Sequence, residues 1–395
     1  MKDLERVANP YGDDKVINAC GLFGTMNLRG ERFSGRDSIV AMANQCDRGN
    51  GLGGGYAAYG IYPEYADMYA FHLMFETPRA REETEAFLRQ HFLLAHQEEI
   101  PHQPTPGIVN PPALRRYFAQ PRDVEAAVSA DDYVVARVME INTQIDGAFV
   151  FSSGKNMGVF KGVGDCHTIG QFFCLEDYAG YLWTAHSRFP TNTQGWWGGA
   201  HPFSILDWTV VHNGEISSYG INRRYLEMHG YYCTMHTDTE VLAYALDLLI
   251  RCHGLPMDLA AKVLAPPFWS EIVRMEEEER QLFTALRQVY GSLLMNGPFT
   301  IIVANAKEMI GLGDRVRLRP LVAATAGEVL YLSSEEASIR LVCPELDRCW
   351  TPKGGEPIIG RLGADGVLGA GAGLPAEKVY GEPVAREVAV GGMGR

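Results

Sequence analysis

Ala185-His186-Ser187-Arg188-Phe189-Pro190-Thr191-Asn192-Thr193 is the stretch from which the rest of the chain is read. Cys20-Gly21-Leu22-Phe23-Gly24 stands upstream of it and His212-Asn213-Gly214-Glu215 downstream. Each supplies a part that amide cleavage needs: a thiol nucleophile, a cation to clamp a carboxylate, and N–H donors for a developing oxyanion.

Taken alone, Cys20 reads as a small core residue. Its place after a short polar leader, residues 1–19, changes that reading. Scission of the Ala19–Cys20 bond would leave Cys20 an α-amino group, with an ordinary pKa of about 7.7–8.0. That amine can take the thiol proton and return it to the leaving group, so nucleophile and base share one residue. Asn213 offers a side-chain N–H and Gly214 a backbone N–H without an obstructing Cβ. Asn-Gly is also a strong type I′ turn signal, and a tight turn would fix both donors. Arg188 carries the bidentate fork that suits a carboxylate, with a structural ion pair as the competing role. Asp238 can grip an ammonium or complement a helix N-terminus. Together Arg188 and Asp238 would hold both ends of an α-amino acid and leave its side-chain amide facing Cys20.

The formal net charge of −13 would repel a polyanion, which argues against nucleic acid as a partner. No apolar run approaches the ~20 residues that span a bilayer. Asp3, Glu5, Asp13 and Asp14 rule out a secretory signal in the first 19 residues. Eight scattered cysteines without a C-x-x-C give poor support to zinc or iron–sulfur ligation, and a reducing cytoplasm is the expected location. Neither a metal nor a cofactor is expected in this chain.

Pattern and punctuation predict a strand over Val16–Phe23 and a helix over Asp37–Asp47. The glycine-rich loop Arg48–Gly55 is expected to be a structural or pocket-wall loop, since no Lys-Ser/Thr follows to make a phosphate loop. Further helices are expected over Ala80–Gln97 and Asp123–Ala130, with a five-proline loop over Ile100–Pro112 between them. Strands are expected over Gly147–Ser152, Met157–Lys161, Tyr181–His186 and Asp207–His212. Thr237-Asp238-Thr239-Glu240 fits a capping box that opens a helix to Cys252, with Gly254 just past its end. A helix over Phe268–Val289 precedes strands at Phe299–Ala304, Leu321–Ala324 and Val329–Ser333, the last two joined by a hairpin turn at 325–328. From Gly354 the composition turns to glycine and alanine and reads as an extended arm. Strand blocks mixed with helix blocks suggest two sheets covered by helices.

These motifs resemble those of the class II glutamine amidotransferases, and in particular the amidotransferase domain of glutamate synthases of archaeal type. Cys20-Gly21-Leu22-Phe23-Gly24 is similar to the start of the mature enzymes, 186–193 to the substrate-binding strand, 211–216 to the oxyanion motif and 237–240 to the segment that holds the α-amino group. Asp314–Leu321 and Ser333–Ala337 resemble two further shared stretches. The resemblance covers residues 20 to about 340. It implies an α+β fold, a four-layer αββα N-terminal-nucleophile hydrolase sandwich with insertions. Residues 1–19 would be a self-cleaved leader, 20–353 the amidotransferase domain with an insertion at about 56–145, and 354–395 the arm. The implied reaction converts L-glutamine to glutamate and ammonia. In it Cys20 is the nucleophile, Asn213 and Gly214 form the oxyanion hole, Arg188 binds the α-carboxylate and Asp238 the α-amino group. Phe189, Thr191 and Asn192 line the pocket. Pro190 stands where a small residue is commoner.

A flavin barrel needs ~250 residues, and no room for one remains after residue 340. The chain therefore reads as a separate subunit. FMN and iron–sulfur clusters are expected on a glutamate synthase partner, docked with help from the arm and residues 56–130. Two alternatives stay open: a glutaminase subunit of another synthase, such as one making N-methylglutamate, and a non-catalytic regulatory homologue.

Overall fold

Short runs of apolar and β-branched residues sort into two facing sheets in the computed structural model, which describes residues 19–122, 124–125, 128–189 and 195–369. The first sheet has the order β17 (Arg348–Trp350), β15 (Val322–Ala326), β16 (Val329–Ser333), β1 (Gly21–Asn27), β10 (Leu182–Ser187), β3 (Gly54–Tyr59) and β8 (Met157–Gly162). The second runs β11 (Phe203–Ile205), β12 (Trp208–Gly214), β13 (Phe299–Ala304), β14 (Glu308–Gly313), β18 (Ile358–Arg361) and β19 (Val367–Leu368). Every residue of β1, β3, β8, β10 and β13 is buried. This is the signature of strands covered on both faces. Leu22, Met26, Val211, Ile302, Met309 and Leu332 share the core between the sheets.

Helices close both outer faces. Helices α1 (Arg36–Ala43), α4 (Cys166–Phe172) and α10 (Glu336–Val342) pack on the first sheet. Helix α6 (Glu240–Leu246) packs on β11 and β12, with α5 (Tyr219–Glu227) beside it. The result is the expected four-layer αββα sandwich. The third sheet, β5 (Phe92–Glu99), β6 (Ala113–Pro121), β4 (Tyr69–Phe75) and β7 (Ala148–Ser152), is packed by α2 (Pro78–His91) and α3 (Ala130–Gln144). It occupies residues 69–152, whereas β3 and β8 on either side belong to the first sheet. A two-stranded ribbon joins β2 (Phe33–Ser34) and β9 (Ala179–Gly180).

Several expectations are corrected. The first strand begins at Gly21 rather than Val16, so Cys20 sits just before it; residues to 18 lie outside the described ones. The first helix stops at Ala43, and a single 3₁₀ turn covers Cys46–Arg48. Helix α2 starts at Pro78, two residues before the expected Ala80, with the Thr77 hydroxyl accepting from the Ala80 N–H at 3.1 Å. It ends at His91, where the chain becomes β5, because pairing with β6 outweighs a continuing helical pattern. The helix expected over 123–130 instead begins at Ala130, capped by Ser129, and runs to Gln144. The Phe268–Val289 helix is broken into α8 (Trp269–Ile272) and α9 (Glu277–Val289). The stretch after Gly354 is partly built in: β18 pairs with β14, and β19 with β18. Residues 370–395 lie outside the described residues. The proline loop, Ile100–Pro112, contains no helix or strand, as expected.

Candidate active site

Pairing between β1 and β10 sets Gly21 opposite Ser187, so Cys20, one residue earlier, comes to lie beside the continuation of β10 at Arg188 and Phe189. The Phe189 N–H donates to Cys20 Sγ at 3.4 Å. Burial pushes the thiol pKa up, while the Phe189 backbone hydrogen bond and the Arg188 cation pull it down. The net shift is upward, so the resting thiol keeps its proton and needs a base. Arg48 secures the backbone here. Its Nε donates to the Cys20 carbonyl at 3.1 Å while its other end pairs with Glu335 at 2.6 Å.

Arg188 is buried against the glycine-rich loop. Its N–H donates to the Gly53 carbonyl at 2.9 Å, and its own carbonyl accepts from Asn50 N–H at 3.3 Å. Gly53 has φ +157°, and a Cβ there would lie 3.1 Å from Arg188 Cδ. Glycine at this point leaves room for the guanidinium stem. The loop thus has a structural role behind Arg188, and none of its residues is among those that line the cleft.

Asn213 and Gly214 do not form a turn. Both lie in β12, paired with Thr300 and Phe299 of β13. Strand alternation puts Asn213 with Val211, on the face between the sheets, and His212 with Val210, on the helix side. Asn213 Nδ2 is buried with no hydrogen-bond partner among the described residues. Gly214 has φ +152°, and a Cβ would fall 1.9 Å from the Pro298 carbonyl oxygen. Only glycine fits, because that backbone conformation and that contact each exclude a side chain.

The expected capping box does not form. Helix α6 opens at Glu240, and no side chain caps it. The Glu240 carboxylate instead accepts from the N–H groups of Thr234 at 3.1 Å and Met235 at 2.9 Å. The turn that follows, Asp247–Cys252, is π-helical, and Gly254 ends it at φ +70°. Asp238 is therefore free of helix-capping work. Its Oδ2 accepts from Ile216 N–H at 2.8 Å, and its Oδ1 accepts from the Thr239 hydroxyl at 3.3 Å.

Cys20, Arg188, Phe189, Gly214 and Asp238 converge on one cleft of about 370 Å³. Asn213 is adjacent to it in sequence and buried. Thr191 and Asn192, together with Pro190, lie outside the described residues. The cleft is also lined by residues that sequence reading left without a role: His201, His212, Tyr219, Arg223, His236, Thr237 and Thr239. Thr237, Thr239 and His212 were at least inside quoted motifs. His201, in Gly198-Gly199-Ala200-His201-Pro202, had no local signal at all. His186 stacks on His201 with ring centroids 4.0 Å apart, and its Nε2 donates to the His212 carbonyl at 2.9 Å. Burial holds the His186 ring neutral and pushes its pKa down to about 3.

Among the described residues no group of three His, Cys, Asp or Glu side chains is placed to hold a metal ion. All eight cysteines are free thiols. No described helix is long and apolar enough to cross a membrane.

The model of the class-II glutamine amidotransferases matches residues 107–346, a range that begins downstream of Cys20. A protein of Archaeoglobus fulgidus that carries no assigned function is 59% identical over 354 residues, covering 88% of this chain and 94% of that one. The glutamine–fructose-6-phosphate aminotransferase of Haemophilus ducreyi is 25% identical over 169 residues, 42% of this chain and 25% of the enzyme. Among solved structures, the glutamine phosphoribosylpyrophosphate amidotransferase of B. subtilis aligns with a TM-score of 0.44 at 15% identity, over 86% of this chain and 47% of that one. The match thus spans well under two thirds of these two enzymes.

Proposed function

This chain belongs to the class II glutamine amidotransferases, and we propose that it is the glutaminase subunit of a glutamate synthase. The observation that supports this most strongly is the convergence of a nucleophile, a guanidinium and a carboxylate on one amino-acid-sized cleft. In this reading L-glutamine lies with its α-carboxylate on Arg188 and its α-ammonium on Asp238. Its side-chain amide then faces Cys20. The α-amino group freed by loss of residues 1–19 takes the thiol proton. The sulfur attacks the amide carbon, and the oxyanion is received by Asn213 Nδ2–H and Gly214 N–H. The tetrahedral species collapses with cleavage of the C–N bond, and the ammonium returns its proton to the departing nitrogen. Ammonia leaves and a thioester remains on Cys20. Water then cleaves the thioester, giving glutamate and restoring the thiol.

Free ammonia diffuses away, so an acceptor subunit is part of the proposal. We assign that role to an FMN-containing glutamate synthase subunit that also carries the iron–sulfur clusters. Residues 370–395 are its expected tether. Deletion of 355–395 would also remove β18, whose Ile358 and Ile359 are buried, so the cleaner truncation starts at 370. The test of the reading is ammonia release from glutamine by the wild type and by Cys20→Ala, with mass spectrometry of the mature N-terminus. We expect activity from a chain starting at Cys20 and none from the variant. A trimmed but inert wild type, or an uncut and fully active one, would overturn the mechanism. Retention of the synthase subunit by a chain ending at 369 would remove the tether.

A further inference from the structure

Thr239 Oγ1 is fully buried and has three polar neighbours: His201 Nε2 at 2.7 Å, His212 Nδ1 at 2.9 Å and Asp238 Oδ1 at 3.3 Å. A hydroxyl has one proton to give and two lone pairs to fill. Burial drives the pKa of both imidazoles down, so each ring is neutral and carries a single N–H. The opposite nitrogens, His201 Nδ1 and His212 Nε2, are buried without a hydrogen-bond partner among the described residues. An orphaned N–H is rarer and costlier than an orphaned lone pair. The proton of each ring therefore sits on the nitrogen that faces Thr239. Two N–H donors then occupy both lone pairs of the hydroxyl. Its proton has one acceptor left, the Asp238 carboxylate.

We propose that Thr239 is a positioning residue: a one-way relay from His201 and His212 through its hydroxyl to Asp238 fixes the carboxylate that selects an α-ammonium group. The inference rests on the glutaminase reading, because it assigns Asp238 the substrate amine. The relay orients one carboxylate oxygen, and the Ile216 N–H holds the other at 2.8 Å. The Thr237 hydroxyl is a further, longer donor to the oxygen that the relay orients, at 3.5 Å. The remaining acceptor sites point to a ligand that brings N–H donors of its own. Thr239 touches no reacting atom.

The test compares two ligands that differ only in the amine, L-glutamate and glutarate, by calorimetric titration. Wild type should bind L-glutamate more tightly. Thr239→Val should weaken L-glutamate about tenfold, the scale of one hydrogen bond to a charged group, and leave glutarate unchanged. Thr239→Ser should restore the preference. Equal weakening of both ligands would reduce Thr239 to a packing role and overturn the proposal, and so would an unchanged preference. Should Thr239→Val fail to fold, His201→Leu removes one donor and leaves the hydroxyl; it should lose several-fold for L-glutamate alone, and an equal loss for glutarate overturns the relay. A wild type that prefers L-glutamate but releases no ammonia from glutamine would sink the glutaminase reading and leave the relay standing. A wild type without the preference would sink the relay.

Discussion

Two buried polar regions of this molecule invite comparison, the third sheet and the cleft. At the third sheet, His72 is fully buried and both of its nitrogens are used: Nδ1 donates to the Val159 carbonyl at 3.0 Å, and Nε2 accepts from Tyr62 OH at 2.9 Å. Arg116 donates to Tyr62 OH, to Tyr178 OH and to Glu98, at 3.1, 3.0 and 2.8 Å. At the cleft, His186 Nδ1, His201 Nδ1, His212 Nε2 and Asn213 Nδ2 are buried and have no such partner among the described residues. Folded proteins close almost all of their buried polar valences, so those left open ask for an explanation. Around His72 and Arg116 the fold closes them, and those groups are structural, although Arg115 Nε and Arg137 Nε elsewhere on this sheet and its helix have no hydrogen-bond partner among the described residues. At and beside the cleft they remain open, and in the proposed reaction the oxyanion would complete Asn213 Nδ2.

That contrast can be broken most directly at Asn213. Asn213→Ala should lower kcat for glutamine hydrolysis about 10²–10³-fold, the effect of losing an oxyanion donor, with little loss in denaturant resistance. A variant that loses stability but keeps its kcat would make Asn213 another structural amide. The mirror experiment is Arg116→Met, which strands Glu98, Tyr62 and Tyr178. It should cost about 3 kcal/mol in urea unfolding and leave kcat/KM of the folded fraction untouched; a catalytic defect would erase the distinction. Arg188→Lys replaces a fork by a point charge and should raise KM about tenfold at nearly constant kcat, measured by initial rates. A change confined to kcat would remove the clamp.

A last prediction concerns pH. The His186 ring titrates near 6.5 when unfolded and at about 3 when folded, chiefly through burial. The unfolded chain therefore binds the proton more readily between those values. The stability this group contributes is complete above pH 6.5 and is lost as pH falls toward 3, by at most about 1.4 kcal/mol per pH unit. Urea midpoints of wild type and His186→Asn from pH 7 to 4 should diverge in slope. Parallel slopes would show that His186 does not carry this term.

Much of this architecture was legible in the sequence where one strand is decided by its own residues. Phe299–Ala304 and Val329–Ser333 are apolar runs with clear boundaries, and the structure starts and ends them at those positions. The errors fall where distant pairing decides. Phe92–Glu99 continues a helical pattern locally, yet once it meets β6 it alternates exposed and half-buried residues after the buried Phe92. Helix α3 is rich in β-branched Val134, Val135, Val138 and Ile141, which disguised it; burial of these residues against the third sheet overrides their weak helix preference. Asn213-Gly214 looks like a turn because the dipeptide alone does not reveal β13 beside it. The main cleft residues Cys20, Arg188, Gly214 and Asp238 were found because each lies in a motif. The relay through Thr239 was not, because its members are 38 and 27 residues from it in sequence and meet only in space.

The strand that begins beside the nucleophile lies in the middle of its sheet. Residues 21–26 pair with 182–187 on one side, and 23–27 pair with 329–333 on the other. A chain still emerging from the ribosome lacks the second flank until most of its length has been made. Such distant partners must be gathered late and slowly. The sulfur that is made among the first residues is therefore seated only after residues 329–333, near the end of the described chain, have been made.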